Sequence, residues 1–239
     1  MRDMKRGKAR TVAVIPAYNE ERRVGEVVRE AGKYVDEVLV VDDGSSDRTS
    51  YAARRAGAEV LRLPGNRGVG HATRKGIEKA VGELGAEWVV LLDADGQHPP
   101  AKIPELLEKL GDGYDIVFAA RRFNERMPLL KRIGNWWLTF ATKLLAGASV
   151  HDSQSGFKAM TSDAFRRMRL KSDGYEVCSE IIFEAGRRRL RCCEVPIATL
   201  YPGGNGKGTG ISDGIRGIHP DARDAAWGLV TGYASRLAA

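Results

Sequence analysis

The sequence has few cysteines, and their arrangement excludes two common kinds of site. Its 239 residues contain only Cys178, Cys192 and Cys193, the last two adjacent in the chain. An odd number of cysteines without Cys-x-x-Cys spacing does not form a disulfide framework or a cysteine zinc site. The four histidines are likewise scattered without the spacing of zinc ligands. We therefore expect a protein of a reducing, cytoplasmic compartment.

Long apolar segments and two familiar phosphate-binding motifs are also missing. The longest run without Lys, Arg, Asp or Glu covers the 12 residues from Val195 to Gly206, whereas a membrane-spanning helix needs about 20 apolar residues. Residues 1–10 are basic, but the short apolar run after them contains Pro16 and makes a poor secretory signal. Neither Gly-x-x-x-x-Gly-Lys-Ser/Thr nor a Gly-x-Gly-x-x-Gly after the first strand is present, which disfavours P-loop and dinucleotide-binding folds.

The overall composition of the chain predicts a folded, basic domain. Hydrophobic residues make up 43% of the chain and charged residues 29%, with a net charge of +7. This apolar content builds a sizeable core, which excludes a disordered chain, and the length suits one domain. The positive charge favours anionic partners, namely phosphates, acidic lipid surfaces or nucleic acid. No nucleic-acid-binding motif is present, so we expect no nucleic acid partner.

Short β-branched runs alternate with amphipathic segments along the chain. The predicted strands cover residues 11–15, 38–41, 59–63, 88–92, 115–119 and 191–198. The predicted helices cover residues 20–35, 47–57, 71–84, 100–110, 161–170 and 176–189. This alternation predicts an α/β fold with a mainly parallel sheet and helices on both faces. Polar clusters follow three of the strands, at residues 16–20, 42–47 and 93–98, where ligands of such sheets bind.

Asp93 and Asp95 are the strongest candidates for a metal site. They follow a predicted strand, and in an extended stretch their side chains project to the same side. Two close carboxylates repel each other unless a cation lies between them, and oxygen ligands suit Mg²⁺ or Mn²⁺. Gln97 could add a neutral oxygen. The alternative interpretation is a solvated acidic turn.

The other polar clusters suit a nucleotide, although each has a simpler interpretation. Asp42 and Asp43 can accept hydrogen bonds from a base or ribose, or can belong to a helix cap. Tyr18 offers an aromatic face and Glu20 an acceptor, but this segment could equally begin a helix. The glycine-rich loop at residues 66–70 is compatible with phosphate binding.

A basic, aromatic segment follows the first half of the chain. Residues 121–143 contain six basic residues against the single acid Glu125, together with Trp136 and Trp137. A helix there would be amphipathic, like an interfacial membrane segment. The alternative is a core-packing helix with one solvated face.

Taken in order, these motifs resemble family 2 glycosyltransferases of the GT-A fold. The motifs that carry the resemblance are Pro16-Ala-Tyr-Asn-Glu20, Val41-Asp-Asp-Gly-Ser45, Asn66-x-Gly-x-Gly70 and Asp93-Ala-Asp-Gly-Gln97. Three further motifs, Asp152-Ser-Gln-Ser-Gly-Phe-Lys158, Gly174-Tyr-Glu176 and Glu194-Val-Pro-Ile197, are similar to the dolichyl-phosphate mannose synthase and glucosyltransferase branch. The resemblance implies a basic extension at 1–10, a GT-A domain at 11–210 with an interface segment at 128–148, and a C-terminal helical segment at 211–239.

The resemblance also implies roles for individual residues. Nucleotide-binding positions are Pro16, Tyr18, Glu20, Asp42, Asp43, Asp93 and Lys207, the last replacing an Arg that relatives often carry. The metal-binding positions are Asp93, Asp95 and Gln97. Positions near the acceptor or the sugar are Arg121, Lys131, Arg132, Gln154 and Ser155. The catalytic set comprises Asp95, Arg121, Arg132 and Asp152.

The implied activity is the inverting transfer of a hexose from a GDP-mannose or UDP-glucose type donor to dolichyl or polyprenyl phosphate, with Mg²⁺ or Mn²⁺. The enzyme would act peripherally at the cytoplasmic face of a membrane, through its own surface or an anchoring partner protein. One alternative is transfer to a soluble hydroxyl acceptor or growing glycan, which requires a carboxylate base such as Asp152, Glu176 or Glu180. The other alternative is a non-catalytic, nucleotide-binding scaffold subunit.

Overall fold

The computed structural model describes residues 9–121 and 155–197. All of them belong to one compact unit that spans Met1–Leu200. A second unit, Tyr201–Ala239, lies outside the described residues, as do the predicted interface segment and most of the basic extension. Of Arg121 only the backbone is described.

Seven strands and six α-helices make up the described residues, and they alternate through most of the chain. The strands are β1 (Thr11–Ala17), β2 (Glu37–Asp42), β3 (Glu59–Arg62), β4 (Trp88–Leu91), β5 (Ile116–Arg121), β6 (Lys158–Thr161) and β7 (Cys192–Ile197). The helices are α1 (Val24–Ala31), α2 (Thr49–Arg55), α3 (Val69–Gly82), α4 (Ile103–Gly111), α5 (Ser162–Arg167) and α6 (Val177–Arg187), with a 3₁₀ turn at Pro100–Lys102. Each strand and helix expected from the sequence within these ranges is present, so the predicted α/β alternation is confirmed.

The strands form one sheet in the order β3-β2-β1-β4-β6-β5-β7. Six strands run in the same direction, and β6 is antiparallel to both of its neighbours, β4 and β5. The mainly parallel sheet is therefore confirmed, with β6 as a strand that the sequence analysis missed. β6 leads directly into α5, without a loop between them. In addition, Thr161 at the end of β6 is the N-cap of α5, where its Oγ1 accepts a hydrogen bond from the Ala164 backbone N–H at 3.1 Å.

Both faces of the sheet are covered by apolar helix faces. On one side, α1, α2 and α4 pack against inward residues such as Ile15 and Val40. On the other, α3, α5 and α6 pack against residues such as Val14 and Leu39. Burial on both faces explains why the strands are continuously apolar instead of alternating.

The topology brings several chain segments to one edge of the sheet. β1, β2, β4 and β5 end at this edge, and β6 begins there because it runs antiparallel to them. The polar clusters after β1, β2 and β4 thus meet the segment that precedes Lys158. This edge is where a ligand of an open α/β sheet binds.

The described residues include neither a disulfide bond nor a helix that could span a membrane. All three cysteines are free. Burial raises the pKa of Cys192 to about 12, and both Cys192 and Cys193 lie in β7, as predicted. No helix within 9–121 and 155–197 is long and apolar enough to cross a membrane.

Gly76 lets α3 lie directly on the sheet, and this contact gives a testable prediction. A Cβ there would collide with a methyl group of Val14 and lie 2.7 Å from one of Val41. We expect Gly76→Ala to lower the free energy of unfolding by about 1–3 kcal/mol, because overpacking displaces the helix. Urea denaturation followed by circular dichroism measures the change.

Gly82 at the end of the same helix is the matched control, because a Cβ there would meet no atom within 4 Å. Gly82→Ala should leave stability unchanged or raise it by up to about 1 kcal/mol through helix propensity. Equal denaturation midpoints for the Gly76 variant and the wild type would contradict the proposed close packing.

Candidate functional site

Hydrogen bonds join the loop after β1 to the loop after β2. Asn19 adopts a left-handed conformation, with φ of 56°, a region that asparagine tolerates better than most residues. Its backbone N–H donates to Ser45 Oγ at 2.9 Å, and its Oδ1 accepts from the Ser46 N–H at 2.9 Å. The Glu20 N–H donates to Thr49 Oγ1 at 2.8 Å. The two loops therefore form one fixed rim at the sheet edge.

Asp42 and Asp43, both predicted to bind the nucleotide, have different surroundings. Asp42 is completely buried, and its carboxylate accepts hydrogen bonds from the Ser45 N–H at 2.8 Å and from the Ser50 hydroxyl. It therefore shapes the turn after β2 and presents no surface to a ligand in this structure. Asp43 is also buried, at 3% exposed, but its carboxylate accepts from the backbone N–H groups of Arg67 at 3.1 Å and Gly68 at 2.8 Å. Asp43 thus joins the second loop to the glycine-rich loop.

The glycines of the loop at residues 66–70 accommodate the protein's own backbone. A Cβ at Gly68 would lie 2.5 Å from the carbonyl oxygen of Asp173, and one at Gly70 would lie 2.5 Å from that of Ser172. The Asp173 carboxylate accepts a hydrogen bond from Arg74 at 2.7 Å, which lowers the pKa of that carboxyl group. The sequence suggested phosphate binding for these glycines, whereas the structure explains them by close packing.

Asp93 follows the end of β4 and is held from two sides. A Cβ on Gly156 would collide with the Asp93 carboxylate, so the backbone before β6 lies closer to this carboxylate than a residue with a side chain would allow. On the other side, His98 Nδ1 accepts a hydrogen bond from the Asp93 N–H at 3.3 Å. An acceptor Nδ1 leaves the proton of a neutral imidazole on Nε2, which lies 3.6 Å from Asp93 Oδ2.

His98 is itself fixed by packing. Its ring is only 8% exposed and stacks on Phe157 with the ring centroids 5.5 Å apart. The sequence assigned no role to His98 and showed only that the histidines lack the spacing of zinc ligands. Its contacts with Asp93 and Phe157 show that it orients a predicted metal ligand. The one sequence signal that pointed to it was its position five residues after Asp93, in the same polar cluster.

Asp95 and Gln97 lie on the turn that follows Asp93. Gly96 has a φ of 76° and allows the tight turn, and Asp95 Oδ1 accepts from the Gln97 backbone N–H at 2.9 Å. Burial raises the pKa of Glu20; Arg23 opposes this rise, and the charge of Asp95 adds to it. The first loop and the Asp93–Gln97 loop are therefore close enough to interact electrostatically.

The oxygen donors of this loop fit a hard divalent cation. The Asp93 side chain is 40% exposed, and Asp95 is also partly exposed, so a metal and a substrate can reach both. Within the described ranges, no group of three or more His, Cys, Asp or Glu side chains forms a complete metal cage. Mg²⁺ is usually held by one or two carboxylates, with waters and substrate phosphates completing its shell. Two carboxylates and one amide are compatible with that arrangement.

A cavity of about 80 Å³ opens beside Asp93. Pro16 and Gly156 line it at the sheet edge, and Lys158 and Tyr175 line it as well. Tyr175 is 84% exposed, so the cavity reaches the surface. Tyr18, another candidate nucleotide contact, is 46% exposed.

Two predicted residues are engaged in local structure. Ser155, expected near the sugar, is 2% exposed, and its Oγ accepts from the Phe157 N–H at 3.3 Å. Glu180, one of the possible general bases, accepts from the backbone N–H groups of Lys171 at 2.8 Å and Ser172 at 2.9 Å. It holds the segment that packs on the glycine-rich loop.

The structure brings most of the predicted residues that it describes to one sheet edge. These are Pro16, Tyr18, Glu20, Asp43, Asp93, Asp95, Gln97 and Ser155. The backbone of Arg121 ends β5 at the same edge and pairs with Ile197. Five predicted site residues lie outside the described residues: Lys131, Arg132, Asp152, Gln154 and Lys207.

Comparison with known proteins agrees with this arrangement. The model of the family described as glycosyl transferase family 2 matches residues 12–169, more than half of the chain. A UDP-N-acetylglucosamine–dolichyl-phosphate N-acetylglucosaminyltransferase of Methanococcus voltae is 36% identical over 213 residues, which cover 79% of this chain and 84% of the relative. A dolichyl-phosphate hexose transferase of Haloferax volcanii is 33% identical over 189 residues, covering 77% and 80%.

The fold also matches a solved structure. Glucosyl-3-phosphoglycerate synthase of Mycobacterium tuberculosis, crystallised with Mn²⁺, UDP-glucose and phosphoglyceric acid, superposes with a TM-score of 0.67 at 22% identity. The match covers 86% of this chain and 74% of the other. The likeness confirms the predicted GT-A fold. With the family match and the close relatives, it shows that the chain belongs to glycosyl transferase family 2.

Proposed function

We propose that the protein transfers a sugar from a nucleoside diphosphate donor to a polyprenyl phosphate such as dolichyl phosphate. The observation that carries the proposal is the likeness to two relatives named as dolichyl-phosphate sugar transferases. One is 36% identical over a match that covers 79% of this chain, and the other is 33% identical over a match that covers 77%. Undecaprenyl-phosphate mannosyltransferase of Micrococcus luteus, 30% identical, adds a bacterial relative named for the same acceptor class.

The nucleotide would lie on the rim formed by the first two loops. Tyr18 is exposed and offers a face on which a base can stack. Glu20 and Asp43 supply acceptors for the base or ribose, and Pro16 forms the adjoining wall. Asp42 would act indirectly, because its hydrogen bonds to Ser45 and Ser50 hold the turn that carries Asp43.

Asp93 and Asp95, with Gln97, would hold the divalent cation. A bound Mg²⁺ or Mn²⁺ supplies positive charge that stabilises the leaving diphosphate. His98 and Gly156 keep the Asp93 carboxylate in place, so little reorganisation is needed when the donor binds.

The acceptor phosphate needs positioning more than deprotonation, because its oxygen is already ionised at neutral pH. That oxygen attacks the anomeric carbon in line, the bond from this carbon to the diphosphate breaks, and the configuration inverts. Arg121, Lys131 and Arg132 would offset repulsion between the two anionic groups. Lys207 would contact the diphosphate, and Asp152, Gln154 and Ser155 would lie near the sugar.

A hydroxyl acceptor would instead require a free carboxylate base. Glu180 already accepts two backbone hydrogen bonds, which leaves Asp152 and Glu176 as candidates for such a base. The intact Asp93 and Asp95 pair supports an active enzyme over a scaffold subunit. Because the acceptor is a lipid, we propose peripheral association with the cytoplasmic face of a membrane, directly or through an anchoring partner.

A transfer assay tests the proposed function. Purified protein is mixed with polyprenyl phosphate, Mg²⁺ and labelled UDP-N-acetylglucosamine, UDP-glucose or GDP-mannose, and label is then extracted into chloroform. We expect labelled lipid with at least one donor, none with the matching polyprenol that lacks phosphate, and none after EDTA. Absence of labelled lipid with all three donors, or equal transfer to soluble acceptors without lipid, would overturn the proposal.

Asp95→Asn tests the metal assignment. We expect at least an approximately 100-fold fall in turnover, because one charged metal ligand contributes several kcal/mol to catalysis. Binding of UDP or GDP should also lose its dependence on Mn²⁺ in calorimetry. The fold should persist, since the Asp95 side chain is partly exposed and its carboxylate accepts only the Gln97 N–H among the hydrogen bonds described.

The matched control for this variant is Asp112→Asn. Asp112 is exposed and pairs with Lys109 at 2.9 Å in the loop after α4, away from the candidate site. Its activity and Mn²⁺ dependence should equal those of the wild type. If the Asp95 variant behaved like this control, the metal assignment would be wrong.

His98→Ala tests the orientation of Asp93. Loss of a residue that orients a metal ligand typically lowers metal affinity about 10–100-fold. We expect a shift of that size in the Mn²⁺ concentration that half-saturates the protein in the presence of nucleoside diphosphate, measured by electron paramagnetic resonance. Unchanged Mn²⁺ affinity in a folded variant would show that His98 serves only the packing on Phe157.

A further inference from the structure

Lys158 is a buried lysine that forms no ion pair within the part of the chain that the structure describes. It begins β6 and is only 1% exposed. Among the residues that the structure describes, its Nζ has no hydrogen-bond or ion-pair partner. Its one described contact of this kind is with the Phe118 ring, whose centroid lies 6.0 Å from Nζ.

This arrangement is energetically costly. Removing an ammonium group from water without pairing it is unfavourable, and a cation–π contact at this distance recovers only part of the loss. A methionine at the same place would fill similar space without the cost. A residue that costs stability in this way is commonly kept for function.

The position of Lys158 shows where its partner would come from. It lines the cavity of about 80 Å³ beside Asp93, together with Pro16, Gly156 and the exposed Tyr175. The cavity is therefore large enough to admit a phosphate or carboxylate oxygen. Apart from Asp93, the lining includes apolar residues such as Val69, Leu91 and Ile181, which carry no anion.

We propose that Lys158 binds an anionic oxygen of the nucleotide-sugar donor, and this inference rests on the proposed function. A phosphate or carboxylate oxygen would fit the cavity and supply the missing counter-charge. It would come either from the diphosphate or from a carboxylate on the sugar. Asp93, with its cation, and Lys158 would then hold the donor's anionic group between them.

Lys158→Met separates this role from a structural one, because the two roles predict opposite changes. If Lys158 binds a ligand, the ligand-free variant melts at the same temperature as the ligand-free wild type or at a higher one, because the variant lacks the unpaired buried charge. Its affinity for the donor falls at least about tenfold, the usual effect of losing a charged hydrogen bond. The control is Lys102→Met, a partly exposed lysine on the 3₁₀ turn that pairs with Glu105, and it should keep the wild-type affinity.

Calorimetry with UDP, UDP-glucose and UDP-glucuronate, each with Mn²⁺, identifies the source of the oxygen. An equal loss of affinity for all three ligands indicates the diphosphate. A loss confined to UDP-glucuronate indicates the sugar carboxylate. Unchanged affinity for all three, or a lower melting temperature with unchanged affinity, overturns the inference.

A structure of the wild-type protein with donor and Mn²⁺ gives a second test that does not depend on how the variant folds. We expect Nζ of Lys158 within hydrogen-bond distance of a donor oxygen, and an ordered donor with no oxygen there overturns the inference. The proposed function fails separately. A wild type that binds the donor through Lys158 but transfers no sugar to polyprenyl phosphate overturns the acceptor assignment and leaves the Lys158 result standing.

Discussion

The site depends on one close approach, between the Asp93 carboxylate and the backbone of Gly156. In the antiparallel pairing of β4 with β6, Leu91 lies opposite Lys158. Continuing that register by two residues places Gly156 opposite Asp93, which is where the collision of a Cβ with the carboxylate is found. Any other residue at position 156 would push the segment or the carboxylate away. The position of Asp93, one of the metal-ligand candidates, is therefore set by backbone geometry.

The antiparallel direction of β6 places this contact at the ligand-binding edge of the sheet. A parallel strand at the same place in the sheet would begin at the opposite edge, far from Asp93. Because β6 starts at the ligand edge, one short segment delivers Gly156 beside the carboxylate, Phe157 beneath the His98 ring and Lys158 into the cavity. Two contacts to one loop and one lysine in the cavity thus follow from a single reversal of chain direction.

The sequence predicted the parts of the site that local patterns encode. Asp93 and Asp95 were predicted as a metal site because two close carboxylates after a buried strand repel each other unless a cation lies between them. The different roles of Asp42 and Asp43 were not predictable, because both acids are buried and only the structure shows that Asp42 accepts hydrogen bonds within its own turn while Asp43 accepts them from the glycine-rich loop. β6 and the roles of His98 and Lys158 were missed for a related reason. Phe157 and His98 are 59 residues apart, and no local periodicity reports a contact over that distance.

The glycine-rich loop has a structural role that the sequence did not reveal. Glycines that admit a phosphate and glycines that admit a neighbouring backbone satisfy the same steric requirement, so the sequence does not distinguish them. Here the backbone at residues 172–173 occupies the space, and Arg74 and Glu180 hold that segment in place. The loop in turn donates two backbone N–H groups to Asp43. Packing on one side of the loop thereby fixes a carboxylate on the other, and a rim built this way is rigid before any ligand arrives. Rigidity of this kind reduces the entropy lost on binding, which is the condition under which a few polar contacts give useful affinity.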